Sequence, residues 1–290
     1  MSDDDKAIYG LIGYPLGHSL SPLMHNAAFA ELGVDAVYKL FPLKEEELAD
    51  FFLDLRQVDS SIFGLNVTIP YKEKVIPYLD SLSPYALKIQ AVNTIVIKEN
   101  RSLIGLNTDG PGFLTHLKEL DFATDKKRIV LLGGGGAARA VLAVLCLLPE
   151  RPQWIHLFDQ DVQKAKYLVK DLEKNGIDVS LVMVVDRIED LKIEVADFLI
   201  NATPVGMKPA DPCLVTEEQI QPGMCVYDLI YNPAETKLLK LARNRGARVA
   251  NGLGMLFYQG VLAFQHWADV ELDDEVKGKM RAALVGGLKL

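Results

Sequence analysis

The sequence predicts an α/β fold of two domains. An N-terminal α/β domain is followed by a Rossmann-type, doubly wound parallel sheet, and C-terminal helices return to the first domain. Three observations predict this. Apolar runs of strand length alternate with helical patterns along the chain, which implies helices layered on a largely parallel sheet. A glycine-rich turn sits mid-chain in Ile129-Val-Leu-Leu-Gly-Gly-Gly-Gly-Ala-Ala-Arg139, entered by a β-branched run and left by the alanine-rich helical pattern Ala137 to Leu147. From Gly254 onward the pattern is mostly helical and too long to cap one sheet.

The elements follow in order. Ile8 to Gly13 reads as a first strand. Ser21-Pro22 reads as an N-cap with proline at the first helical position, and the helix continues from Leu23 to Leu32, where Gly33 stops it. Val37 to Phe41 is a second strand, Lys44 to Leu55 a helix, and Phe63 to Ile69 a third strand closed by Pro70. Thr94 to Ile97 and Leu103 to Asn107 flank Glu99-Asn100-Arg101 as a hairpin. Asp109-Gly-Pro111 opens a helix with Phe113, Leu114, Leu117 and Leu120 on one face. Beyond the glycine turn come the strand Ile155 to Phe158, helix Gln163 to Lys174, and strands Val179 to Val185, Phe198 to Asn201 and Cys225 to Leu229. Helix Glu235 to Arg245, strand Arg248 to Ala250, and helices Gly254 to Trp267 and Asp274 to Val285 complete the chain. The expected boundaries are 1–109 with 253–290 for a substrate-binding catalytic domain, and 110–252 for a dinucleotide-binding domain.

Gly133, Gly135 and Ala138 fit the G-x-G-x-x-G/A spacing of a dinucleotide fold. The first glycine allows the tight turn, the second lets backbone approach a pyrophosphate, and the small third residue lets helix pack on strand. Gly136 and Ala137 then open the helix whose N-terminus faces the anion. The next apolar strand ends on Asp159, 21 residues past Ala138 (159 − 138), where an acid can hold a ribose diol. The competing reading is a glycine turn in an unrelated α/β protein.

Composition narrows the function classes. Lys plus Arg is 31 and Asp plus Glu 39, a net charge of −8, which argues against binding nucleic acid or an anionic membrane by bulk charge. Cys146, Cys213 and Cys225 are an odd three without C-x-x-C, so neither a disulfide framework nor a zinc site is suggested, and no metal is expected. No apolar stretch is long enough to span a membrane, and the acidic start Met1 to Lys6 lacks the apolar region of a signal peptide. A reducing cytoplasm is the expectation. No pattern reads out the oligomeric state, so a monomer and a homodimer stay open.

Three polar segments precede residue 110, each where a strand ends. In His18-Ser19-Leu-Ser21-Pro22, Ser21 reads as a cap, and two hydroxyls at a helix start can also bind a carboxylate. In Asn66-Val-Thr68-Ile-Pro70-Tyr-Lys72, alternation sends Asn66 and Thr68 to one face and Val67 and Ile69 to the other, while Lys72 alone reads as a solvated lysine. In Asn107-Thr-Asp109-Gly110, Asp109 alone reads as a helix cap. The functional reading pairs Lys72 with Asp109. A lysine bonded to a carboxylate and a substrate hydroxyl can relay a proton while hydride leaves the same carbon. His18 is the one rival base, since the other four histidines lie within helix or strand patterns.

Seven motifs occur in order: Ser19-x-Ser21-Pro22, Asn66-Val-Thr68-x-Pro70-x-Lys72, Asn93-Thr94, Asn107-Thr-Asp109-Gly110, the Gly133 turn, Asn201-Ala-Thr203-Pro-x-Gly206-Met207 and Asn251-Gly252-Leu-Gly254-Met255. Together they resemble the shikimate dehydrogenase family, including its shikimate/quinate branch, over residues 7 to 270. The resemblance implies an oxidoreductase that interconverts shikimate and 3-dehydroshikimate with a nicotinamide cofactor. It implies carboxylate binding by Ser19 and Ser21, and ring-hydroxyl binding by Asn66, Thr68, Asn93 and Gln259. It makes Lys72 and Asp109 the catalytic pair and puts Tyr231 near the substrate carboxylate. Gly252 and Met255 match residues beside the nicotinamide, and Thr203 and Pro204 the loop under the cofactor.

One stretch departs from the family pattern. NADP-dependent members usually carry Asn-Arg-Thr after the second strand of the nucleotide domain, where the arginine grips the 2′-phosphate. This chain has Asp159-Gln160-Asp161. Asp159 would accept bonds from the ribose hydroxyls, and like charges about 4 Å apart cost on the order of 4 kcal/mol at an effective dielectric near 20. NAD is therefore expected over NADP, with Arg139 or Lys164 as the groups that would keep NADP open. An NAD preference resembles the shikimate/quinate branch, so quinate stands as second substrate. Two other classes compete: a non-catalytic sensor of dinucleotide or shikimate-like acids, and a dehydrogenase of another small acid or a folate derivative. The intact Lys72 and Asp109 oppose the sensor, and the paired serines with the Asn66 to Lys72 segment oppose the other dehydrogenase.

Overall fold

The computed structural model describes residues 6–17 and 19–288 of the 290-residue chain. The rival base His18 and the acidic residues 1–5 lie outside the described residues. Two compact units form, one from the chain up to Thr108 together with Phe257 onward, the other from Asp109 to Leu256.

The first unit holds β1 (Ala7–Gly13), α1 (Ser21–Glu31), β2 (Ala36–Pro42), α2 (Leu48–Leu55), β3 (Ile62–Val67), β4 (Ser81–Leu82), α3 (Pro84–Ile89), β5 (Thr94–Ile97) and β6 (Leu103–Leu106). Its sheet runs β2-β1-β3-β5-β6-β4. β1 pairs parallel with β2 and β3, and β5 pairs antiparallel with both β3 and β6. The β5–β6 hairpin closes as expected, with Arg101 at φ +63° in its turn. Phe52 and Leu55 of α2 pack with Leu65, Val67 and Ile95 into one buried core.

The second unit contains α4 (Asp109–Glu119), β7 (Arg128–Leu132), α5 (Gly136–Leu147), β8 (Trp154–Phe158), α6 (Val162–Lys174), β9 (Val182–Val184), β10 (Phe198–Asn201), β11 (Cys225–Asp228), α7 (Lys237–Asn244) and β12 (Arg248–Asn251). All five pairings in the order β12-β11-β10-β7-β8-β9 are parallel. The chain leaves β7 toward β8 and β9, then returns to β10 on the other flank, so strand order reverses between β7 and β10. Ligands of such sheets bind at the carboxyl ends beside that reversal. α5 is apolar nearly all round, and its residues from Ala138 to Cys146 are buried. A helix of this kind is driven by tertiary burial on every side.

α8 (Leu253–Ala268) and α9 (Asp274–Gly287) end the chain. From Phe257 they belong to the first unit, where Trp267 Nε1 donates to the Ile95 carbonyl at 3.0 Å. The C-terminal helices thus return as the fold class predicts.

Several local expectations need correction. Leu20, not Ser21, holds the cap position of α1, with α-region backbone and no side-chain cap bond; Ser21 is the first helical residue. The helix expected from Lys44 opens with a separate 3₁₀ turn, Glu45–Glu47, where Glu47 Oε2 accepts the Lys44 N–H at 2.6 Å. β3 is regular to Val67, its backbone bonds run on through Thr68 and Ile69, and Pro70, lacking an N–H, ends them; Ile69 is 64% exposed and does not share the buried face of Val67. The strand expected over 179–185 shrinks to three residues at the sheet edge, Val182–Val184. No described helix is long and apolar enough to cross a membrane, and the described residues hold no cluster of metal-ligating side chains.

Candidate functional site

In the first unit a buried polar network crosses the middle of the sheet. Asn66 on β3 accepts from Tyr38 Oη at 2.8 Å, and its Nδ2 donates to the Asn93 carbonyl and to Thr94 Oγ1, both at 3.2 Å. Asn93 accepts the Thr108 N–H at 2.7 Å, and donates to Thr108 Oγ1 at 2.9 Å and Gln259 Oε1 at 3.3 Å. All these side chains are buried, so each unmade bond would carry the desolvation cost of a buried polar group. Lys72 is half-buried, and its carbonyl accepts the Val92 N–H at 2.7 Å, one residue before Asn93. Thr68 N–H extends the ladder to the Ile12 carbonyl at 3.0 Å, and its own carbonyl accepts from Tyr71 at 2.9 Å. Ser19 and Ser21 face one another across the start of α1, the Ser21 N–H donating to Ser19 Oγ at 3.3 Å. The sequence thus scatters Asn66, Asn93 and Gln259 over three segments, and the fold brings them onto one hydrogen-bonded patch.

In the second unit the turn after β7 takes up the reversal point of the sheet. Gly133 has φ +108°, and a Cβ there would press on the Ala202 carbonyl at 2.8 Å, so only glycine fits. A Cβ on Gly135 would meet nothing nearer than Lys164 Nζ at 3.9 Å, so the space over the N-terminus of α5 is open to a ligand. That opening, with the N–H ends of Gly136 and Ala137, fits a dinucleotide pyrophosphate. Asp159 follows β8 and accepts the Gly134 N–H at 2.6 Å and the Asp161 N–H at 2.9 Å. Asp161 caps α6 through the N–H groups of Gln163 and Lys164. Arg139 is buried and ion-paired with Asp171, which corrects its expected availability as a phosphate clamp. Lys164 remains, exposed beside the turn.

Across the reversal, Asn201 organises the next loop. Its Oδ1 accepts from Thr203 Oγ1 at 2.7 Å and Thr203 N–H at 3.0 Å, and the Thr203 hydroxyl accepts the Val205 N–H at 3.1 Å, which sets the loop carrying Pro204. Asn201 Nδ2 donates to Asp228 Oδ1 at 2.9 Å, and Thr236 Oγ1 to Asp228 Oδ2 at 2.6 Å. Burial raises the Asp228 pKa, while these donors and the Ile230 N–H oppose the rise. Asp228 thereby ties the loop after β10 to the segment bearing Tyr231, a half-buried phenol whose pKa burial also raises. Gly252 ends β12 so close to the Leu229 carbonyl that any side chain would overlap it, and Met255 is buried two residues into α8.

Comparison with known proteins gives this geometry a family. The family model described as the shikimate dehydrogenase substrate binding domain matches residues 11–95. A shikimate dehydrogenase (NADP(+)) of Geobacillus kaustophilus (strain HTA426) is 44% identical over 265 residues, covering 90% of this chain and 92% of that protein. The chain belongs to the shikimate dehydrogenase family. A solved shikimate dehydrogenase in complex with NADP+ superposes with a TM-score of 0.88 at 39% identity, covering 99% of this chain and 98% of that one. A quinate dehydrogenase from Corynebacterium glutamicum in complex with NAD superposes with a TM-score of 0.86 at 31% identity, covering 97% and 99%.

Within a shikimate dehydrogenase fold, the residues that sequence reasoning missed are the ones that hold others in place. Tyr38, Thr94 and Thr108 support the polar patch of the first unit, and Asp228 with Thr236 supports the loops of the second. Asp228 had a legible signal, an acid closing the apolar run Cys225-Val-Tyr-Asp228. Tyr38 had none, since a tyrosine in an apolar strand is ordinary core.

Proposed function

We propose that this member of the family interconverts shikimate and 3-dehydroshikimate, with NAD preferred over NADP. The oxidoreductase class follows from the family; the substrate, the cofactor preference and the proton relay are the reading offered here. The observation that carries it is the pairing of two prepared sites in one chain: the buried Asn66–Asn93–Gln259 patch with Lys72 set beside it, and the open glycine turn with Asp159 bonded across it.

A nicotinamide dinucleotide, when bound, supplies the hydride acceptor or donor. The chain's own residues do the rest. Ser19 and Ser21 bind the carboxylate, with Tyr231 as a further partner for it. Thr68, Asn93 and Gln259 orient the ring hydroxyls, supported by Asn66. Lys72 takes the proton from the substrate 3-hydroxyl in oxidation and returns it in reduction, with Asp109, the buried first residue of α4, as the carboxylate of the relay. Gly133, Gly135, Gly136 and Ala137 cradle the pyrophosphate. Thr203, Pro204, Gly252 and Met255 flank the nicotinamide. Asp159 accepts from the ribose hydroxyls, and a 2′-phosphate would meet the carboxylates of Asp159 and Asp161 with Lys164 as the near cation. The relatives named for NADP(+) make this preference the sharpest point of the reading. Three free cysteines suit a reducing compartment, and we place the protein in the cytoplasm.

The test is turnover of shikimate by wild type, Lys72→Ala and Asp109→Asn, followed by absorbance of the reduced nicotinamide. Lys72→Ala lowers kcat by roughly 10²–10⁴ with shikimate KM nearly unmoved, the range of a positioned acid–base group. Asp109→Asn lowers kcat while the protein stays folded. A Lys72→Ala enzyme with near-normal kcat removes the lysine from the mechanism. No turnover by wild type favours the sensor class.

A further inference from the structure

We propose that Tyr38 is a positioning residue for the substrate patch: its hydroxyl anchors the carbonyl end of Asn66 and so braces the hydrogen-bond chain Tyr38–Asn66–Thr94–Asn93–Gln259. The inference rests on the dehydrogenase reading above and adds a residue outside the set matched to the family's motifs.

An amide side chain can be turned either way, and partners whose roles cannot be exchanged fix it: the Asn93 carbonyl can only accept from Asn66, and the Thr108 N–H can only donate to Asn93. Tyr38 holds the other end of Asn66. It is buried, and burial holds its phenol pKa well above the ordinary value, with the nearby Ser21 pulling the other way. The phenol is therefore protonated across the working pH range and has one hydrogen to give. That hydrogen goes to Asn66 Oδ1 at 2.8 Å. The carbonyl end of Asn66 is thereby fixed toward Tyr38, and both its N–H groups point to the Asn93 carbonyl and Thr94 Oγ1. Thr94, accepting from Asn66, turns its own hydrogen to Asn93 Oδ1 at 3.1 Å. Asn93, whose Oδ1 also accepts the Thr108 N–H at 2.7 Å, is set with its Nδ2 toward Thr108 and Gln259 Oε1. At the end of the chain the carbonyl end of the Gln259 amide is held toward Asn93. The phenol thus braces, at Asn66 Oδ1, a chain of amides that also orients Asn93 and Gln259.

Tyr38 is held for this task from three sides. Asn26 on α1 accepts the Tyr38 N–H at 2.8 Å and donates to the Tyr38 carbonyl at 3.3 Å, which satisfies the outward backbone groups of an edge strand. The His25 ring stacks on the phenol at 4.4 Å between centroids and 11° between planes. His25 is fully buried, and burial pushes its pKa down to about 3 against an opposing pull from Asn66. The neutral ring serves as a packing surface for the phenol. Trp267 of α8 closes the third side, 6.2 Å away and tilted by 42°.

The experiment is a double-mutant cycle on shikimate kinetics. Tyr38→Phe keeps the ring, the stacking and the Asn26 clamp, and removes only the hydroxyl. Shikimate KM is expected to rise about tenfold, with kcat within about threefold and cofactor KM unmoved, the signature of lost ground-state positioning. In an Asn66→Ala background the same change should alter KM by less than about twofold, because Tyr38 acts through Asn66. An unmoved shikimate KM in Tyr38→Phe, or the same rise in both backgrounds, overturns the inference. Thr94→Val cuts the chain one link further on and should give the same KM-against-kcat split, which decides the matter if Tyr38→Phe does not fold. Wild type that fails to turn over shikimate refutes the dehydrogenase reading and this inference with it. Normal wild-type turnover with an unmoved Tyr38→Phe refutes the inference alone.

Discussion

The two units prepare their polar groups in opposite ways. In the first, the groups proposed for recognition are side chains, buried and bonded to one another, so Asn66, Asn93 and Gln259 cannot turn independently. In the second, the proposed cradle is mostly backbone, opened by glycines at the reversal of a parallel sheet, and the charges proposed to discriminate, Asp159, Asp161 and Lys164, stand toward the surface. The difference teaches where change is tolerated. A backbone cradle accepts new side chains at its rim at little cost: of the three rim charges Asp159 bonds to the turn, through the Gly134 N–H, and an amide oxygen in its place could keep that bond. A closed side-chain network passes each substitution to its neighbours.

Three variants sharpen that contrast. The largest effect belongs to Ser19→Ala with Ser21→Ala, which removes two hydroxyls from the carboxylate end. Shikimate KM should rise about 10–100-fold in initial-rate assays, given about 1.5 kcal/mol for a hydrogen bond to a charged group, while cofactor KM stays put. A parallel rise in cofactor KM would erase the division of labour. Next comes Asp159→Asn with Gln160→Arg, which replaces repulsion by a planar cation. The ratio of kcat/KM for NADP over NAD should increase on the order of tenfold with shikimate KM unchanged. An unmoved ratio sinks the role given to Asp159.

The smallest effect lies at the far end of the same sheet. Asp197, just before β10, accepts from Arg128 N–H and Nε at 2.9 Å and from its second guanidinium nitrogen at 3.1 Å, joining the amino ends of β7 and β10. The guanidinium holds the Asp197 carboxyl below the usual aspartate range. Its stabilisation is therefore complete above that range and fades as pH falls through the depressed pKa. Asp197→Asn should lower the melting temperature by about 1–3 °C at neutral pH, and the gap to wild type should close in acid. A gap that persists in acid would assign the effect to packing. Neither KM should move.

The contrast also marks how much the sequence disclosed. The Gly133 turn, the strands flanking it and the apolar α5 were legible because each obeys a local rule: a left-handed glycine, a β-branched run, a helix apolar all round. The roles proposed for Lys72, Asp109 and the paired serines rest only on the order of motifs, since each alone reads as a surface lysine or a cap. The roles of Tyr38, Thr94 and Asp228 were hidden because they depend on partners tens of residues away. The Asn26 clamp was hidden likewise, since an asparagine inside a helical run shows no sign of reaching a strand. Arg139 misled for the same reason: its place after the glycines suggests a phosphate clamp, but the fold turns it inward to Asp171. Short elements such as α3, capped by Ser83 through the Ala86 N–H, fall below the length at which apolar periodicity can be read.

The most direct test of the account is the ratio of kcat/KM for NAD over NADP in wild type, measured with saturating shikimate and repeated with quinate. The account predicts shikimate turnover with NAD ahead of NADP, because the rim of the cradle carries Asp159 and Asp161 where a 2′-phosphate would sit. A ratio that favours NADP would contradict it and give the decisive role at the rim to Lys164.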